Sequence, residues 1–292
     1  MCTRCMGARS FFREEEAMEL SEIVTTVVQD FPYALYGSIL VGVICAFIGV
    51  YIVARRVVFF GAVLTQVSVL GLAMTFLPFF ALPHAVGTLV VTLASAVVLS
   101  RMLTGRKIPR DAVLGFVFVS SIAARILILQ KAPKVEASEI ENLLRGDILF
   151  VTPDIFFMML GAFVAAAVIH LLFFKEFTYI SFDPETARTQ GFNARIWDLV
   201  FYLVAGVVIS FATHMVGDLF VFGFLVVPAM AGMLLSRKVN AIFAIAVATG
   251  VVAPILGLFL AFRYDFPASP AIVAVACAIV GIAWLASLIR HK

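Results

Sequence analysis

Long uncharged runs separated by short charged stretches set the rhythm of the chain. Between Asp30 and Arg55 lie 24 residues without Asp, Glu, Lys or Arg, and between Arg56 and Arg101 lie 44. A helix needs about 20 apolar residues to cross a hydrocarbon core. The first run (31–54) therefore predicts one span, and the second (57–100) two, with a turn over Pro78 to Pro83. Further runs at 111–130, 155–174, 196–213, 218–236, 239–262 and 266–289 bring the expectation to nine spans, or eight if one short pair is re-entrant. The pair 196–213 and 218–236 is joined by a tight turn over His214–Gly217. Arg125 falls near one end of its run, where a long cation can snorkel to the interface.

Composition turns this pattern into a class. Of 292 residues, 63% are hydrophobic and 13% charged, where a soluble domain carries about 25% charged residues. Mean hydropathy is +1.10. So much apolar surface must face lipid, and the longest stretch without a span, residues 1–30, leaves no room for a large soluble domain. A net charge of +3 fits a membrane protein with basic cytoplasmic loops and gives no sign of nucleic-acid binding. Leaving out residues 1–17, alternate loops hold 13 Lys and Arg against 5. The richer set includes Arg55, Arg56, Arg110, Lys175, Arg237 and Lys238, so it is assigned to the cytoplasm together with the C-terminus.

Two loops carry local structure signals. In 131–154, Ser138 and Glu141 have capping-box spacing, and Ile140, Leu143 and Leu144 recur at helical intervals. A surface helix and an ordinary connection both fit. In 175–198, Asp183 reads as an N-cap, Pro184 as the first helical residue and Gly191 as a stop, which predicts a short docking helix on the cytoplasmic face. Residues 1–17 lack the apolar stretch of a signal peptide. Met18 reads as a more natural start, so residues 1–30 are expected to be an over-extended start plus an amphipathic lead-in, and 31–292 the transmembrane domain. Cys2 and Cys5 form a C-x-x-C without the strand–helix context of redox motifs or a second pair for zinc. Cys45 and Cys277 sit within spans as small apolar residues.

Five segments together resemble the permease subunit of ABC importers for zinc, manganese and iron, relatives of the vitamin B12 and siderophore importers. They are GVICAFIGVYIVARRVVFFGAVLTQVSVLGLA (42–73), RGDILFVTPD (145–154), SFDPETARTQGFNARIWD (181–198), VGDLFVFGFLVVPAMAGMLL (216–235, with Pro228 inside a span) and DFPASPAIVAVACAIVG (265–281). The resemblance implies an all-α, polytopic membrane bundle of eight or nine transmembrane helices with the vitamin B12 importer-like permease fold. It implies a prokaryotic inner-membrane location, a second permease (a homodimer), a cytoplasmic ABC ATPase dimer holding ATP and magnesium, and an extracytoplasmic metal-binding protein. The chain has no G-x-x-x-x-G-K-[ST] sequence, so it is expected to be a conduit without a cofactor of its own and not an enzyme. By the same resemblance, Asp183, Ala187 and Gly191 belong to the helix that couples permease to ATPase, with Ala187 the small residue of close approach.

Metal-transporting members carry G-D-A-L-S-H at the start of the second span, an Asp and a His four residues apart on one helix face. Here the residues are Gly61-Ala62-Val63-Leu64-Thr65-Gln66, so both expected ligands are absent. His214 and Asp218, with Met215 between them, stand as a compensating pair, because ionisable groups at membrane depth mark pathways. Gln66, His214 and Asp218 are thus the candidate metal-contacting residues, and a solvated turn is the competing reading of the last two. His84 is expected to be interfacial, and His170 packed or snorkelling. Glycines 42, 49, 61, 71, 250 and 257 suit close helix packing, within one chain or against a partner. The cargo is then a divalent transition metal, zinc or manganese foremost. Alternatives are a metal chelate or organic cofactor in the same ABC class, or an ion-coupled secondary carrier, which typically buries charge at the midplane.

Overall fold

The computed structural model describes residues 29, 31–77, 83–103, 108–130, 148 and 153–290. The N-terminal 28 residues with Cys2 and Cys5, the apex of the Pro78–Pro83 turn, the capping box at Ser138 and Glu141, and His291 lie outside them.

Among the described residues every regular element is helical. They are α1 (Pro32–Ala54), α2 (Val58–Thr75), α3 (His84–Met102), α4 (Arg110–Leu129), α5 (Pro153–Leu172), α6 (Phe174–Phe182), α7 (Pro184–Thr189), α8 (Ala194–Val216), α9 (Asp218–Leu235), α10 (Val239–Tyr264) and α11 (Ala268–Arg290). Eight of the described helices are long and apolar enough to cross a membrane, and α5 with α6, which meet at a 73° bend, add a ninth when the bent pair is taken as one broken span rather than a re-entrant loop. Pro228 and Pro254 lie inside α9 and α10, tolerated because neighbouring helices enclose the freed backbone groups.

Helix α1 is the centre, packed on α9 and α10, while α2 packs on α3 and α4 and α8 on α3. In lipid there is no water to squeeze out, so helices associate by close van der Waals fit, which small residues permit. At the α1–α10 crossing a Cβ on Gly42 would stand 2.4 Å from the Gly250 carbonyl oxygen, and one on Gly250 2.7 Å from that of Gly42. Glycines 49, 61, 71 and 257 likewise meet neighbours within this chain. All six therefore serve packing inside the subunit. The outward faces of α4 and α11 remain apolar and exposed, with Phe116, Leu127, Ile282 and Trp284 each more than half accessible. That is the surface a lipid-facing helix presents.

Residues 175–198 are more structured than a loop carrying one docking helix. Their first part is α6, fixed by an aromatic cluster: His170 stacks on Phe177 at 4.8 Å, and Tyr51, Phe201 and Trp197 contact the same ring. His170 is fully buried and stacked on Phe177, so it packs at the α5–α6 bend and does not snorkel.

Candidate functional site

Helices α8 and α9 are separated by a single residue. Gly217 takes φ 82° and ψ 169°, a backbone that favours glycine, and it ends α8 and opens α9 at once. His214 therefore stands in the last helical turn of α8, not in a solvated turn. Because the helix breaks between them, the spacing of four does not by itself put His214 and Asp218 on one face. The link is recessed: Met215, Val216 and Gly217 are buried, and Ser269 of α11 donates to the Val216 carbonyl at 3.1 Å.

Asp218 occupies the first turn of α9, where the helix dipole favours an anion. Its Oδ2 accepts a 2.7 Å hydrogen bond from Gln66 Nε2, and Gln66 Oε1 accepts one of 3.2 Å from Arg125 Nη1. A cation on α4, an amide in the middle of α2 and a carboxylate on α9 thus form one chain of bonds. Arg125 does not snorkel outward; its guanidinium turns into the bundle, and its Nε is buried without a partner among the described residues. The amide orientation is fixed by its neighbours. To offer its oxygen to a metal, Gln66 would have to flip its amide, losing both bonds and turning its NH2 group toward a guanidinium. In this conformation Gln66 bridges Arg125 and Asp218.

The other candidates separate clearly. His214 is half-buried, and its Nδ1 has no hydrogen-bond partner among the described residues, nor do Thr213 Oγ1 beside it and Ser68 Oγ on α2. His84 opens α3. It stacks on Phe76 at 4.5 Å and meets Thr75 Oγ1 at 2.7 Å. That hydroxyl spends its hydrogen on the Leu72 carbonyl, so His84 Nδ1 is the donor in this contact. Met215 is withdrawn, its terminal methyl packed where a Gly37 side chain would begin. Ala62 is buried at 4% exposure. Among the described residues no three of His, Cys, Asp and Glu stand together as a metal-binding group.

The opposite end of the bundle holds the short helix α7. Asp183 caps α7 by accepting from the Thr186 backbone N–H at 3.1 Å and from its hydroxyl at 2.6 Å. Those two bonds hold its carboxyl below the usual carboxylate range. Gly191, at φ 81°, closes the element, and Asn193 caps α8 through the Arg195 N–H. Ala187 is 1% exposed. It packs into this chain, and among the described side chains of α7 Glu185 and Thr189 are exposed. Beneath α7, Arg55 pairs with Asp198 and donates through Nε to Ser181 at 2.8 Å, its guanidinium 4.1 Å above the Phe201 ring. Neither Arg125 nor the Arg55–Asp198 pair was marked by sequence spacing, since each reaches across 59 or more positions.

A lipid-embedded helical bundle with a recessed polar chain at one end and a capped surface helix at the other defines a membrane permease. Residues 29–287 match the family model described as the ABC 3 transport family, and the chain belongs to that family. It is a multi-pass protein of the prokaryotic inner membrane. A manganese transport system membrane protein of Listeria monocytogenes is 28% identical, with 86% of this chain and 89% of the relative covered. A probable iron transport system membrane protein of Haemophilus influenzae is 27% identical over 87% and 89%. A high-affinity zinc uptake membrane protein of Buchnera aphidicola is 26% identical over 82% and 92%. In fold, the chain is similar to PsaBC from Streptococcus pneumoniae, solved with a Fab (TM-score 0.80, 23% identity, 91% and 95% covered). It is also similar to a metal-chelate-type ABC transporter in an inward-facing conformation (TM-score 0.71, 13% identity, 94% and 91% covered).

Proposed function

We propose that the chain forms the translocation pathway of an ABC importer for a divalent transition metal, zinc or manganese foremost, paired with a second copy of itself. A separate ATPase dimer binds ATP and magnesium and docks on α7, and an extracytoplasmic binding protein delivers the ion. The Arg55 end is then cytoplasmic, as the loop charges favour, and the Gln66–Asp218 end faces the delivery side. Residues 31–292 act as one permease domain, with 175–198 its coupling segment.

The observation that carries the cargo reading is the Asp218 carboxylate beside the recessed α8–α9 link, with the unpartnered His214 Nδ1 one turn before it. Carboxylate and imidazole suit manganese and zinc. Sparse coordination also suits a conduit, which must release its ion. The metals named for the relatives support the same class. An ion passes when Asp218 leaves Gln66 for the metal, with Arg125 opposing residence by repulsion. Uptake of radioactive zinc and manganese by vesicles holding the complete transporter tests this. Asp218→Asn and His214→Ala are expected to lower uptake about tenfold; unchanged uptake in both removes them from the pathway.

A second reading, a metal chelate, is favoured by one feature: the inward Arg125 suits an anionic carboxylate or phosphate on the cargo better than a bare cation. Arg125→Gln separates the two. Free-ion uptake that holds or rises supports the ion; a tenfold loss of metal–citrate uptake supports the chelate.

A further inference from the structure

A polar cavity of about 450 Å³ opens at the Arg55 end between α1, α4, α6 and α8. Small-molecule sites span about 300–1,000 Å³. Arg55, Arg56 and Arg110 line it with Ser181, Asp198 and Tyr202, so three guanidiniums face one carboxylate. Arg55 is the fixed member: its side chain is 6% exposed, and the Ser181 hydroxyl, the Asp198 carboxylate and the Phe201 ring hold it. Yet its Nη2 is buried without a partner among the described residues. Asp198 is engaged by Arg55 and is 31% exposed, which leaves the Arg56 and Arg110 charges to the cavity. Arg56 is exposed, with a left-handed backbone at φ 58° in the link between α1 and α2.

We infer that this cavity binds a phosphate-class anion, either the phosphodiester headgroup of an anionic lipid or free phosphate. Three planar donor forks match phosphate oxygens better than any cation or neutral solute. The position matches too, because the cavity sits where four helices leave the apolar layer, and basic pockets between helices at a cytoplasmic boundary take anionic headgroups. Ser181 and Phe182, the last residues of α6, line the cavity immediately before the Asp183 cap of α7. An anion bridging Arg56 and Arg110 ties the α1–α2 link to α4 beside α6 and steadies the base of α7. The binding does not depend on the cargo reading, and only its effect on the ATPase rests on α7 as the docking helix.

The test uses the full-length permease in nanodiscs of phosphatidylcholine alone, of phosphatidylcholine with phosphatidylglycerol, and of phosphatidylcholine with inorganic phosphate added. Phosphatidylglycerol or phosphate is expected to raise the thermal unfolding midpoint by several degrees. The Arg56→Gln/Arg110→Gln double variant is expected to lose most of that rise, the double lysine variant to keep it, and Lys238→Gln, at the same end, to leave it intact. A rise with phosphatidylglycerol only assigns a lipid headgroup, and a rise with phosphate assigns the free anion. Equal rises in wild type and the glutamine variant, or no rise with either probe, overturn the inference. So does loss of ATPase binding in that variant without any rise in wild type, which would make the cavity a receptor for an acidic side chain.

Discussion

The two ends of the bundle each hold an arginine and an aspartate, but they are wired differently. At one end Arg55 and Asp198 touch directly, with Ser181 and the Phe201 ring completing the guanidinium's surroundings. At the other, Arg125 and Asp218 are kept apart by the Gln66 amide, which donates to one and accepts from the other. A direct buried pair is costly to break, because the survivor is left as an uncompensated charge. An amide bridge is easier to open, since each of its bonds contributes only about 0.5–3 kcal/mol net. The first arrangement suits a joint that must hold, and the second a contact that must part when something passes.

The sharpest way to break this contrast is Asp198→Ala, which strands Arg55. It is expected to cost about 3 kcal/mol of stability, read as a large fall in the thermal unfolding midpoint of the purified permease and weak expression. Next is Asp218→Asn, where the asparagine still accepts from Gln66. Stability is expected to change by less than about 1 kcal/mol, while metal uptake falls about tenfold. A midpoint loss as large as that of Asp198→Ala would make the two clusters alike and erase the distinction. A smaller effect is expected for Arg125→Gln, with stability held within about 1 kcal/mol and free-ion uptake equal or up to a few-fold higher. The smallest concerns pH. The two Thr186 bonds hold the Asp183 carboxyl below its ordinary value, so the cap is complete above the usual carboxylate value of about 3.9. It weakens only as pH falls through the lower folded-state value. ATPase capture by the wild-type permease is therefore expected to be flat from neutral pH down to mildly acidic conditions. Asp183→Asn is expected to remove the cap's part of any decline in more strongly acidic buffer.

What could be read from the sequence was what is local. Charges bound the spans because an uncompensated charge cannot sit in hydrocarbon, so the run 31–54 and α1 (Pro32–Ala54) nearly coincide. The α7 cap was legible because Asp183, Pro184 and Thr186 act on one another within a single turn. Helix α6 was not legible: Lys175, Glu176, Thr178 and Ser181 make FKEFTYISF look like a loop, and the rings that fix it come from α1 and α8. The turn over His214–Gly217 shrank to one residue because φ and ψ at Gly217 reverse the chain without further help. The Gln66 substitution was visible, but its meaning was not. Sequence offered a weak oxygen ligand, whereas the amide oxygen is already held by an arginine 59 positions away.

The single-residue joint at Gly217 has a mechanical side. Helix α8 runs 23 residues, about 35 Å at 1.5 Å per residue. It starts after a four-residue link (190–193) from the end of α7 at Thr189, carries Asp198 near its base, and ends at Val216. With a capped start and no slack at its far end, it works as a connecting rod. A tilt imposed at the α7 end must arrive beside Asp218 as a displacement of the α9 start, because no loop between α8 and α9 can absorb it.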